Sequence, residues 1–328
     1  MVFVTGGTGL VGSYLLKALL EKNVPVRALL RRPYKGFILT SGDLERIEWV
    51  EGDLLDPEVL EQAMQGVDQV YHCAGLVSFN PRNAGLLYKV NVEGTAAVVN
   101  ACLETGVRKL AYLSSVAALG RNPGDGLTDE SKDWDEETNK SVYGKSKYWA
   151  ELEVWRGMAE ELETVIVNPS TILGAGDWDT GSTKIFKSVY DEFPWYTEGV
   201  NGFVDVRDVV DALIRLMESP IHSQRFILSS DNWSYHRLFD AIAAGFGRRS
   251  PYKKVTPLIA ETVWRLEKIK GAITGKDPLL TKETAHTAQS VSRFDNRKVL
   301  EALPGFGFTP LEEAVRHHCD RLKVSYSL

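Results

Sequence analysis

The stretch "VTGGTGLVG", from Val4 to Gly12, decides the fold, because three of its glycines recur at intervals of three residues. It follows the apolar run Val2–Thr5, which predicts a buried strand, and it opens the amphipathic segment Leu10–Glu21, which predicts a helix. One glycine permits a tight turn, another lets the backbone approach a pyrophosphate, and the third allows helix and strand to pack closely. The stretch therefore predicts a dinucleotide-binding turn.

The contacts of this turn are expected to come largely from the main chain. Amides at the start of the following helix would offer a phosphate both hydrogen-bond donors and the positive end of the helix dipole. The residues predicted to bind the cofactor here are Gly6, Thr8, Gly9, Leu10, Val11 and Gly12.

Short β-branched runs alternate with longer amphipathic segments over the first two thirds of the chain. This alternation is typical of βαβ units, and right-handed crossovers turn such units into a doubly wound parallel sheet. The predicted fold class is α/β, a Rossmann fold with a smaller, mostly helical C-terminal substrate domain. The predicted strands are Val2–Thr5, Val26–Leu30, Ile47–Val50, Gln69–Cys73, Lys109–Ser114, Thr164–Asn168 and, as a last strand, Arg225–Ser229. The predicted helices are Leu10–Glu21, Pro57–Gln65, Leu86–Glu104 and Val142–Leu162.

The pattern changes after Asn168, where glycine, aspartate and aromatic residues become frequent, and Phe203–Glu218 then returns to a strand followed by a helix. We predict a dinucleotide-binding domain from residues 1–168 and 203–230, and a substrate-binding domain from residues 169–202 and 231–328. The second domain would cap the carboxyl edge of the sheet, where open α/β folds bind ligands. The acidic stretch Asp125–Glu137 is interpreted as a solvated loop.

Composition narrows the possible partners. A net charge of −6 without a run of Lys or Arg argues against nucleic acid, and no apolar run approaches the roughly 18 residues of a membrane span. The chain opens directly on a predicted strand, so no cleavable signal peptide is expected. Cys73, Cys102 and Cys319 lack metal-binding spacing and are interpreted as buried thiols in a reducing compartment. We expect a cytoplasmic protein that acts on a small molecule, with no metal, nucleic acid or membrane partner.

The end of the second predicted strand bears on the type of cofactor. NAD-binding units usually carry an acidic residue about 20 residues beyond the glycines, where it holds the ribose hydroxyls. This chain has "LLRRP" there, with Arg31 and Arg32 at the strand end and Lys35 just beyond. A guanidinium binds a 2′-phosphate through two parallel hydrogen bonds. NADP is therefore predicted, with NAD as the alternative if these arginines are only solvated surface residues.

Several motifs together resemble the extended short-chain dehydrogenases/reductases. They are "TGGTGLVG" (5–12), "GDLLD" (52–56), "NVEGT" (91–95), "LSSVAALG" (113–120) and "YGKSK" (143–147), and they occur in the order of that family. The resemblance continues through "VNPSTILGAGD" (167–177) and "FVDVRDV" (203–209), so it covers nearly the whole chain. It implies an enzyme that uses a nicotinamide cofactor.

Tyr143 and Lys147 are four residues apart on a predicted helix and therefore share a face. A nearby ammonium lowers the pKa of a tyrosine from about 10, which would make Tyr143 a general acid/base. The resemblance implies that Lys147 also donates to a ribose hydroxyl. It further implies that Ser115, five residues before Gly120, hydrogen-bonds the substrate oxygen as charge develops, with Ser114 as the alternative.

The resemblance also assigns residues to other parts of the cofactor. Asp53 and the Leu54 backbone would contact the adenine, Ala74 and Gly75 would line the adenosine ribose side, and Pro169 would lie near the nicotinamide. Asn91, in the middle of a predicted helix where asparagine is a poor helix former, is interpreted as structural support for the site.

Two departures separate this chain from other branches of the family. Dehydratases follow the catalytic hydroxyl with an Asp-Glu pair, whereas Val116 and Ala117 follow Ser115 here. Sugar-nucleotide enzymes usually carry an arginine two residues before the aromatic of "GFVDVRDV", where this chain has Asn201. A nucleotide diphosphate would then be poorly held, unless Lys184 or Lys187 replaces the arginine.

Other segments resemble the dihydroflavonol-reductase branch and related NADP-dependent aldehyde and ketone reductases. These segments are "VRALLRRP" (26–33) and "KDPLLTKETAHTA" (276–288). Aromatic side chains in the predicted substrate loops suit an apolar or aromatic carbonyl substrate, although they could equally pack the smaller domain. They are Phe79, Trp178, Phe193, Trp195 and Tyr196.

The sequence thus predicts an NADP-dependent oxidoreductase that interconverts a carbonyl and an alcohol. The alternative is a nucleotide-sugar epimerase with tightly held NAD, and a non-catalytic NADP-sensing protein is the least favoured reading, since such proteins typically lack the Tyr-Lys pair. The resemblance implies a homodimer through a four-helix interface formed by Leu86–Glu104 and Val142–Leu162. The apolar residues of these helices could instead be covered by the sheet.

Overall fold

The computed structural model describes residues 1–120, 126–136, 139–256, 258–265 and 281–328. The strands are β1 (Val2–Thr5), β2 (Val26–Leu30), β3 (Glu48–Glu51), β4 (Gln69–His72), β5 (Lys109–Leu113), β6 (Leu127–Thr128), β7 (Glu163–Pro169), β8 (Thr171–Leu173), β9 (Trp195–Tyr196), β10 (Val200–Asp205), β11 (Gln224–Leu228), β12 (Asp231–Ser234), β13 (Lys253–Lys254) and β14 (Arg293–Phe294).

The helices are α1 (Leu10–Glu21), α2 (Ser41–Glu45), α3 (Pro57–Met64), α4 (Ala84–Leu87), α5 (Gly94–Thr105), α6 (Val142–Ala159), α7 (Lys184–Tyr190), α8 (Val206–Glu218), α9 (Tyr235–Phe246), α10 (258–265), α11 (Lys282–Thr287), α12 (Arg297–Ala302) and α13 (Leu311–Tyr326). A π-helical segment, Tyr88–Glu93, joins α4 to α5. Short 3₁₀ turns lie at Pro81–Asn83, Val116–Ala118 and Gly181–Thr183.

Seven strands form one parallel sheet in the order β3-β2-β1-β4-β5-β7-β11. The strand order reverses between β1 and β4, since the chain builds outward from β1 in one direction and then from β4 in the other. Such a switch point opens a crevice at the carboxyl ends of the strands. The predicted doubly wound sheet is confirmed, including β11 as its edge strand beside β7.

Helices cover both faces of this sheet. On one face α1 and α8 bury leucines and valines spaced three or four residues apart, as amphipathic helices do. On the other face α3, α5 and α6 pack a second core around residues such as Leu60, Val98 and Val154. Full burial of such a side chain stabilises the fold by about 1.5–3 kcal/mol.

The smaller unit has its own core. A three-stranded sheet, β12-β10-β8, packs with α7, α9 and α13 around Phe186 and Trp233. The predicted division into two domains stays a prediction. Strand β10 pairs with β8 and not with the main sheet, because the chain leaves the main sheet after Ser170. Val299 of α12 packs in the core of the main sheet together with residues of α1.

Two further predictions bear on the described residues. Cys102 and Cys319 are buried, Cys73 is partly exposed, and all three thiols are free. Among the described residues no helix is both long and apolar enough to cross a bilayer. Residues 125 and 137 of the acidic stretch, and residues 276–280 of "KDPLLTKETAHTA", lie outside the described part of the chain.

Candidate active site

The glycine-rich turn between β1 and α1 leaves no room for side chains. Gly6 has φ +72°, and a Cβ there would lie 2.5 Å from the Ala74 amide nitrogen. A Cβ on Gly12 would lie 2.1 Å from the Gly6 carbonyl oxygen. The Gly9 amide donates to that same oxygen at 3.0 Å. The spacing of the glycines is therefore a requirement of backbone packing, and it brings the N-terminus of α1 to the switch point.

A cleft of about 1920 Å³ runs from this turn to the smaller unit. Its walls include the start of α1, the ends of β5 and β7, the start of α6, and segments around β9 and α10. Of the predicted site residues, those that line the cleft are Thr8, Gly9, Leu10, Arg32, Gly75, Ser115, Tyr143 and Pro169.

The other predicted residues lie around this lining. Val11 and Gly12 are buried within the turn, and Arg31 is exposed beside Arg32. Asp53 caps its own loop by accepting from the Leu55 amide at 3.0 Å. Leu54 is buried against α5, where a Cβ on Gly94 would lie 2.5 Å from its Cδ2 atom. The wall of this cleft thus does not include Asp53 and Leu54, which follow β3, or Ala74, which packs against Gly6 of the turn.

The loop after β2 carries the positive charges predicted to select the cofactor. Arg32 and Lys35 line the cleft. Between them, the Tyr34 hydroxyl accepts from the Ile38 and Leu39 amides at 2.9 and 3.2 Å, which orders the loop. The two cations therefore lie in the wall of the cleft, in the loop that follows β2.

Tyr143 and Ser115 meet at the wall of the cleft. Tyr143 is the second residue of α6, a helix whose start is capped by Ser141, which accepts from the Gly144 amide at 2.9 Å. The side chains of Tyr143 and Ser115 both line this wall, and Ser115 is close enough to lower the pKa of Tyr143. The hydroxyl of Ser114, the alternative to Ser115, is engaged elsewhere, since it donates to Glu151 Oε1 at 2.5 Å.

Lys147 lies one helical turn after Tyr143, but its ammonium is directed at β5. Nζ donates to the Tyr112 hydroxyl at 2.9 Å and to the Leu113 carbonyl at 2.8 Å. A Cβ on Gly75 would lie 3.5 Å from this Nζ, so the absence of a side chain there leaves the ammonium adjacent to the cleft. Burial lowers the pKa of Lys147 to about 8, while the charge of Glu151 acts in the opposite direction.

The pKa of Tyr143 differs from the expectation drawn from the sequence. Burial raises it to about 12, and the neighbouring Ser115 side chain acts in the opposite direction. The expected lowering by Lys147 is not reached in the chain alone, because the ammonium is hydrogen-bonded to Tyr112 and Leu113. Tyr143 is therefore a protonated phenol at neutral pH.

Asn91 lies in the π-helical segment between α4 and α5 and makes three hydrogen bonds. Its Oδ1 accepts from the Leu76 amide at 2.7 Å, and its Nδ2 donates to the Leu76 carbonyl at 3.0 Å and to Ser146 Oγ at 2.9 Å. These contacts join the loop after β4 to α6 beside Lys147. The geometry fits the structural role predicted for this residue.

The sequence did not reveal a buried polar cluster that lies behind the part of the cleft wall formed by Ser115 and Tyr143. Glu151, on the same face of α6 as Tyr143 and Lys147, contacts Ser114, Asn168 and Arg225. One signal was available, because Glu151 continues the four-residue spacing of Tyr143 and Lys147. Arg225 gave none, since it is 74 residues away in the chain.

The far end of the cleft is aromatic and apolar. Phe79 packs edge-on against Tyr143 with ring centroids 5.6 Å apart. Three more of the predicted aromatics, Phe193, Trp195 and Tyr196, line the cleft. Trp178 instead packs in the smaller core, stacked on Tyr326 at 4.5 Å, so for this residue the structural alternative holds.

The position where sugar-nucleotide enzymes carry an arginine also lines the cleft. Asn201 Nδ2 donates to Thr171 Oγ1 at 2.9 Å and to the Tyr235 hydroxyl at 3.3 Å. Lys187, one of the possible substitutes, is paired with Asp179, whereas Lys184 lines the cleft.

The fold and the cleft together define an NAD(P)-binding enzyme of the Rossmann type. The glycine-rich turn at the switch point lines the same cleft as Ser115 and Tyr143, and Lys147 lies one helical turn after Tyr143, next to that cleft. The chain belongs to the NAD dependent epimerase/dehydratase family, whose profile matches residues 2–227.

Individual proteins agree with this assignment. The chain is 32% identical over 311 residues to a Synechocystis sp. protein named "Putative dihydroflavonol 4-reductase", covering 92% of this chain and 88% of that protein. It is 32% identical to cinnamoyl-CoA reductase 1 of Petunia hybrida, covering 69% of this chain and 72% of that protein. The crystal structure of gox2253 superposes with a TM-score of 0.83 at 30% identity, covering 99% of this chain and 98% of that one.

These findings confirm the predicted family and its extended short-chain dehydrogenase/reductase type. The prediction of an NAD(P)-dependent enzyme of the reductase/dehydrogenase type is likewise confirmed.

Proposed function

We propose that this protein is an NADP-dependent reductase that interconverts a carbonyl and an alcohol on a small, apolar or aromatic substrate. The observation that carries the proposal is that Tyr143 and Ser115 line the same cleft as the glycine-rich turn. A proton donor and a cofactor site then face the same bound substrate.

The residues present fit a nicotinamide dinucleotide. The turn offers the free amides at the start of α1 to a pyrophosphate, and the close packing around Gly6 and Gly12 excludes side chains that would block it. Lys147, beside Gly75, would hold a ribose hydroxyl. When bound, the cofactor supplies or accepts the hydride.

The chain's own residues manage the proton. During reduction Tyr143 would transfer its hydroxyl proton to the substrate oxygen while the carbonyl carbon accepts the hydride. Ser115 would donate a hydrogen bond to that oxygen as negative charge develops. Since burial raises the pKa of Tyr143 to about 12, the phenol is protonated at neutral pH and ready to donate.

The preference for NADP is supported by charge. Arg32 and Lys35 line the cleft and Arg31 is exposed next to them. The segment that follows β2, "RRPYK", has no acidic residue to repel a 2′-phosphate. An Arg31→Glu/Arg32→Glu double variant should therefore lose about 10- to 100-fold in NADPH affinity with little change for NADH. Exchange of Arg248 and Arg249, an exposed pair outside the cleft lining, is the matched control.

An apolar substrate is supported by the aromatic walls of the cleft and by the relatives named as dihydroflavonol and cinnamoyl-CoA reductases. Edge-on contact of Phe79 with Tyr143 would place an aromatic ring beside the reacting oxygen. Asn201 in place of an arginine removes a charge-assisted contact to a diphosphate, which argues against a sugar nucleotide.

The first experiment is to release and identify any cofactor from the dialysed protein, and then to follow NADPH oxidation with aromatic aldehydes and ketones. A net reductase must exchange its cofactor at every turnover, so we expect empty protein that binds NADPH better than NADH and oxidises it with a carbonyl probe. Stoichiometric NAD that survives dialysis, with turnover of UDP-glucose, would replace this proposal by the epimerase. Binding of NADPH without turnover of any probe would favour the NADP-sensing alternative.

A homodimer through α4–α5 and α6 is the corresponding proposal for assembly, and a cytoplasmic location stays a prediction. Three apolar side chains on these segments are exposed and would be covered in a dimer: Leu86 (52%), Tyr88 (43%) and Leu152 (46%). Light scattering should give a dimer, and Leu86→Asp/Leu152→Asp should give a monomer. Val324→Asp, at a more exposed position on α13, should stay dimeric.

A further inference from the structure

A buried carboxylate lies directly behind the catalytic wall and is not used by the proton transfer described above. Glu151 is eight residues after Tyr143 and four after Lys147, so the three side chains follow one face of α6. Its side chain is 1% exposed. A carboxylate buried this deeply is costly unless its charge is paired and its oxygens are hydrogen-bonded.

The partners of Glu151 supply that compensation. Oε1 accepts from Ser114 Oγ at 2.5 Å and from Asn168 Nδ2 at 2.6 Å, and Oε2 lies 3.5 Å from Arg225 Nη1. Burial is the largest influence and leaves the pKa of Glu151 above its usual value, although Ser114, Arg225, Asn168 and Lys147 all act to lower it. Two donors on one oxygen and a guanidinium beside the other are the arrangement expected around an ionised carboxylate.

The cluster touches the catalytic residues by two routes. The first is mechanical, because Asn168 Nδ2 donates both to Glu151 and to the Ser115 main-chain carbonyl, at 3.0 Å. The second is electrostatic, because the charge of Glu151 acts on Lys147 against the effect of burial. One carboxylate thus bears on the position of Ser115 and on the charge of Lys147.

Other groups also face this region. Those facing Lys147 are Tyr112 on β5, His72 and Cys73 at the end of β4, and Glu151 on its own helix, while Arg225 on β11 faces Glu151. Burial lowers the pKa of His72 to about 3 and raises that of Cys73 to about 12, so both are neutral at working pH. Glu151 is therefore the negative charge among these neighbours of Lys147.

We propose that Glu151 is a positioning residue whose ionised carboxylate keeps Lys147 protonated and, through Ser114 and Asn168, holds Ser115 against Tyr143. The proposal rests on the proposed function of this cleft. It separates two roles of one side chain, a charge and a set of contacts, which different substitutions remove.

Glu151→Gln removes the charge and keeps the length, whereas Glu151→Asp keeps the charge and shortens the reach to Asn168 and Ser114. The matched control is Glu153→Gln, which removes a carboxylate from the solvent-facing side of the same helix, where it pairs with Arg156. Circular dichroism melts establish that each variant is folded before kcat and KM are measured from pH 6 to pH 10.

In Glu151→Gln the alkaline limb of kcat should move to lower pH by about one unit, since an unopposed burial cost favours neutral Lys147. Glu151→Asp should keep the limb at its wild-type position and lower kcat by about tenfold, with KM for NADPH changed less than about twofold. Glu153→Gln should match wild type in both. A folded Glu151→Gln variant with an unmoved limb overturns the proposal, and so does Glu151→Asp with wild-type kcat.

If Glu151→Gln does not fold, Glu151→Asp decides alone, because a displaced limb or an unchanged kcat in that variant contradicts the proposed roles. A readout without turnover separates this proposal from the proposed function. In the cofactor-free protein, NMR of labelled lysines, assigned with Lys147→Met, follows the proton on Lys147. A lower titration midpoint of Lys147 in Glu151→Gln supports the electrostatic role of Glu151, even if no carbonyl is reduced. Turnover with an unmoved midpoint sinks that role while leaving the reductase intact.

Discussion

At the glycine-rich end of the cleft, main-chain atoms pack so closely that a single methyl group has no space, whereas the end that holds Tyr143 is walled by side chains from separate segments. The close contact of Gly12 with the Gly6 carbonyl lies within one turn of the chain, although Gly6 also packs against Ala74 after β4. Ser115 and Phe79 reach Tyr143 from two different loops. The difference shows that the shape of the glycine-rich turn depends mainly on residues close together in sequence, while the arrangement around Tyr143 depends on the tertiary fold.

Gly12→Ala should have the largest effect on the structure, because it disrupts the packing of the glycine-rich turn itself. Its Cβ would lie 2.1 Å from the Gly6 carbonyl oxygen, so α1 must move away from the turn. We expect a loss of about 3 kcal/mol in the free energy of unfolding and about a hundredfold in NADPH affinity, measured by denaturant melts and fluorescence titration. Gly85→Ala, where a Cβ meets nothing within 4 Å, should be neutral or slightly stabilising. Normal NADPH affinity in Gly12→Ala would contradict this account of the turn.

Tyr143→Phe tests the other end of the cleft. Without the hydroxyl there is no proton donor, so kcat/KM for a carbonyl probe should fall by about 10²- to 10⁴-fold. NADPH affinity should stay within about twofold of wild type, since the turn is untouched. A fall in kcat/KM of less than tenfold would assign the proton to another group.

The pH dependence of activity connects the two ends, because Lys147 would touch both cofactor and catalytic wall. Its pKa is lowered to about 8 by burial, so the ammonium is present below that pH and lost above it. We expect log kcat/KM to be level below pH 8 and to fall with a slope approaching one above it. Lys147→Arg, whose guanidinium stays protonated, should lose this limb at a lower overall rate. Persistence of the same limb in Lys147→Arg would show that a different group titrates.

Phe79→Ala should have the smallest effect and sharpen the contrast. Loss of the Phe79 ring that would pack against an aromatic substrate should remove about 0.5–1.5 kcal/mol of substrate binding, so KM for an aromatic carbonyl should rise about two- to tenfold. NADPH affinity should not change. Tyr252→Ala, an exposed aromatic that does not line the cleft, is the control and should leave KM unaltered. Equal losses of NADPH and substrate affinity in Phe79→Ala would mean that the two ends are not independent.

Much of the central fold was predictable because it depends on local periodicity. The bounds of β1, β2 and α1 agree with those predicted from the sequence. The strands predicted to end at Cys73 and Ser114 each end one residue earlier, at His72 and Leu113. The smaller sheet was less predictable. Its strand β10 reads like a member of the main sheet, and only the path of the chain through β8 shows its true partner.

The site divides in the same way. Tyr143, Ser115 and the glycines were found because their spacing or motif is local. The partners of Lys147 were not, since Tyr112 lies 35 residues away on a strand where an aromatic looks like ordinary core. Likewise the spacing of Glu151 places it on the same face of α6 as Tyr143, but its burial and its partners appear only when β7 and β11 are placed beside α6.

The π-helical segment at Asn91 makes this part of the molecule sensitive to length rather than to composition. A π turn holds one residue more than an α turn, and the Gly94 amide accordingly reaches back to the Lys89 carbonyl. Deleting one residue would restore a regular helix but rotate α4 by about 100° relative to α5. Asn91 would then face away from Leu76 and Ser146. Homologous chains that differ by a single insertion or deletion in this π-helical segment should therefore differ in how α6 is held, even where Ser115, Tyr143 and Lys147 are all retained.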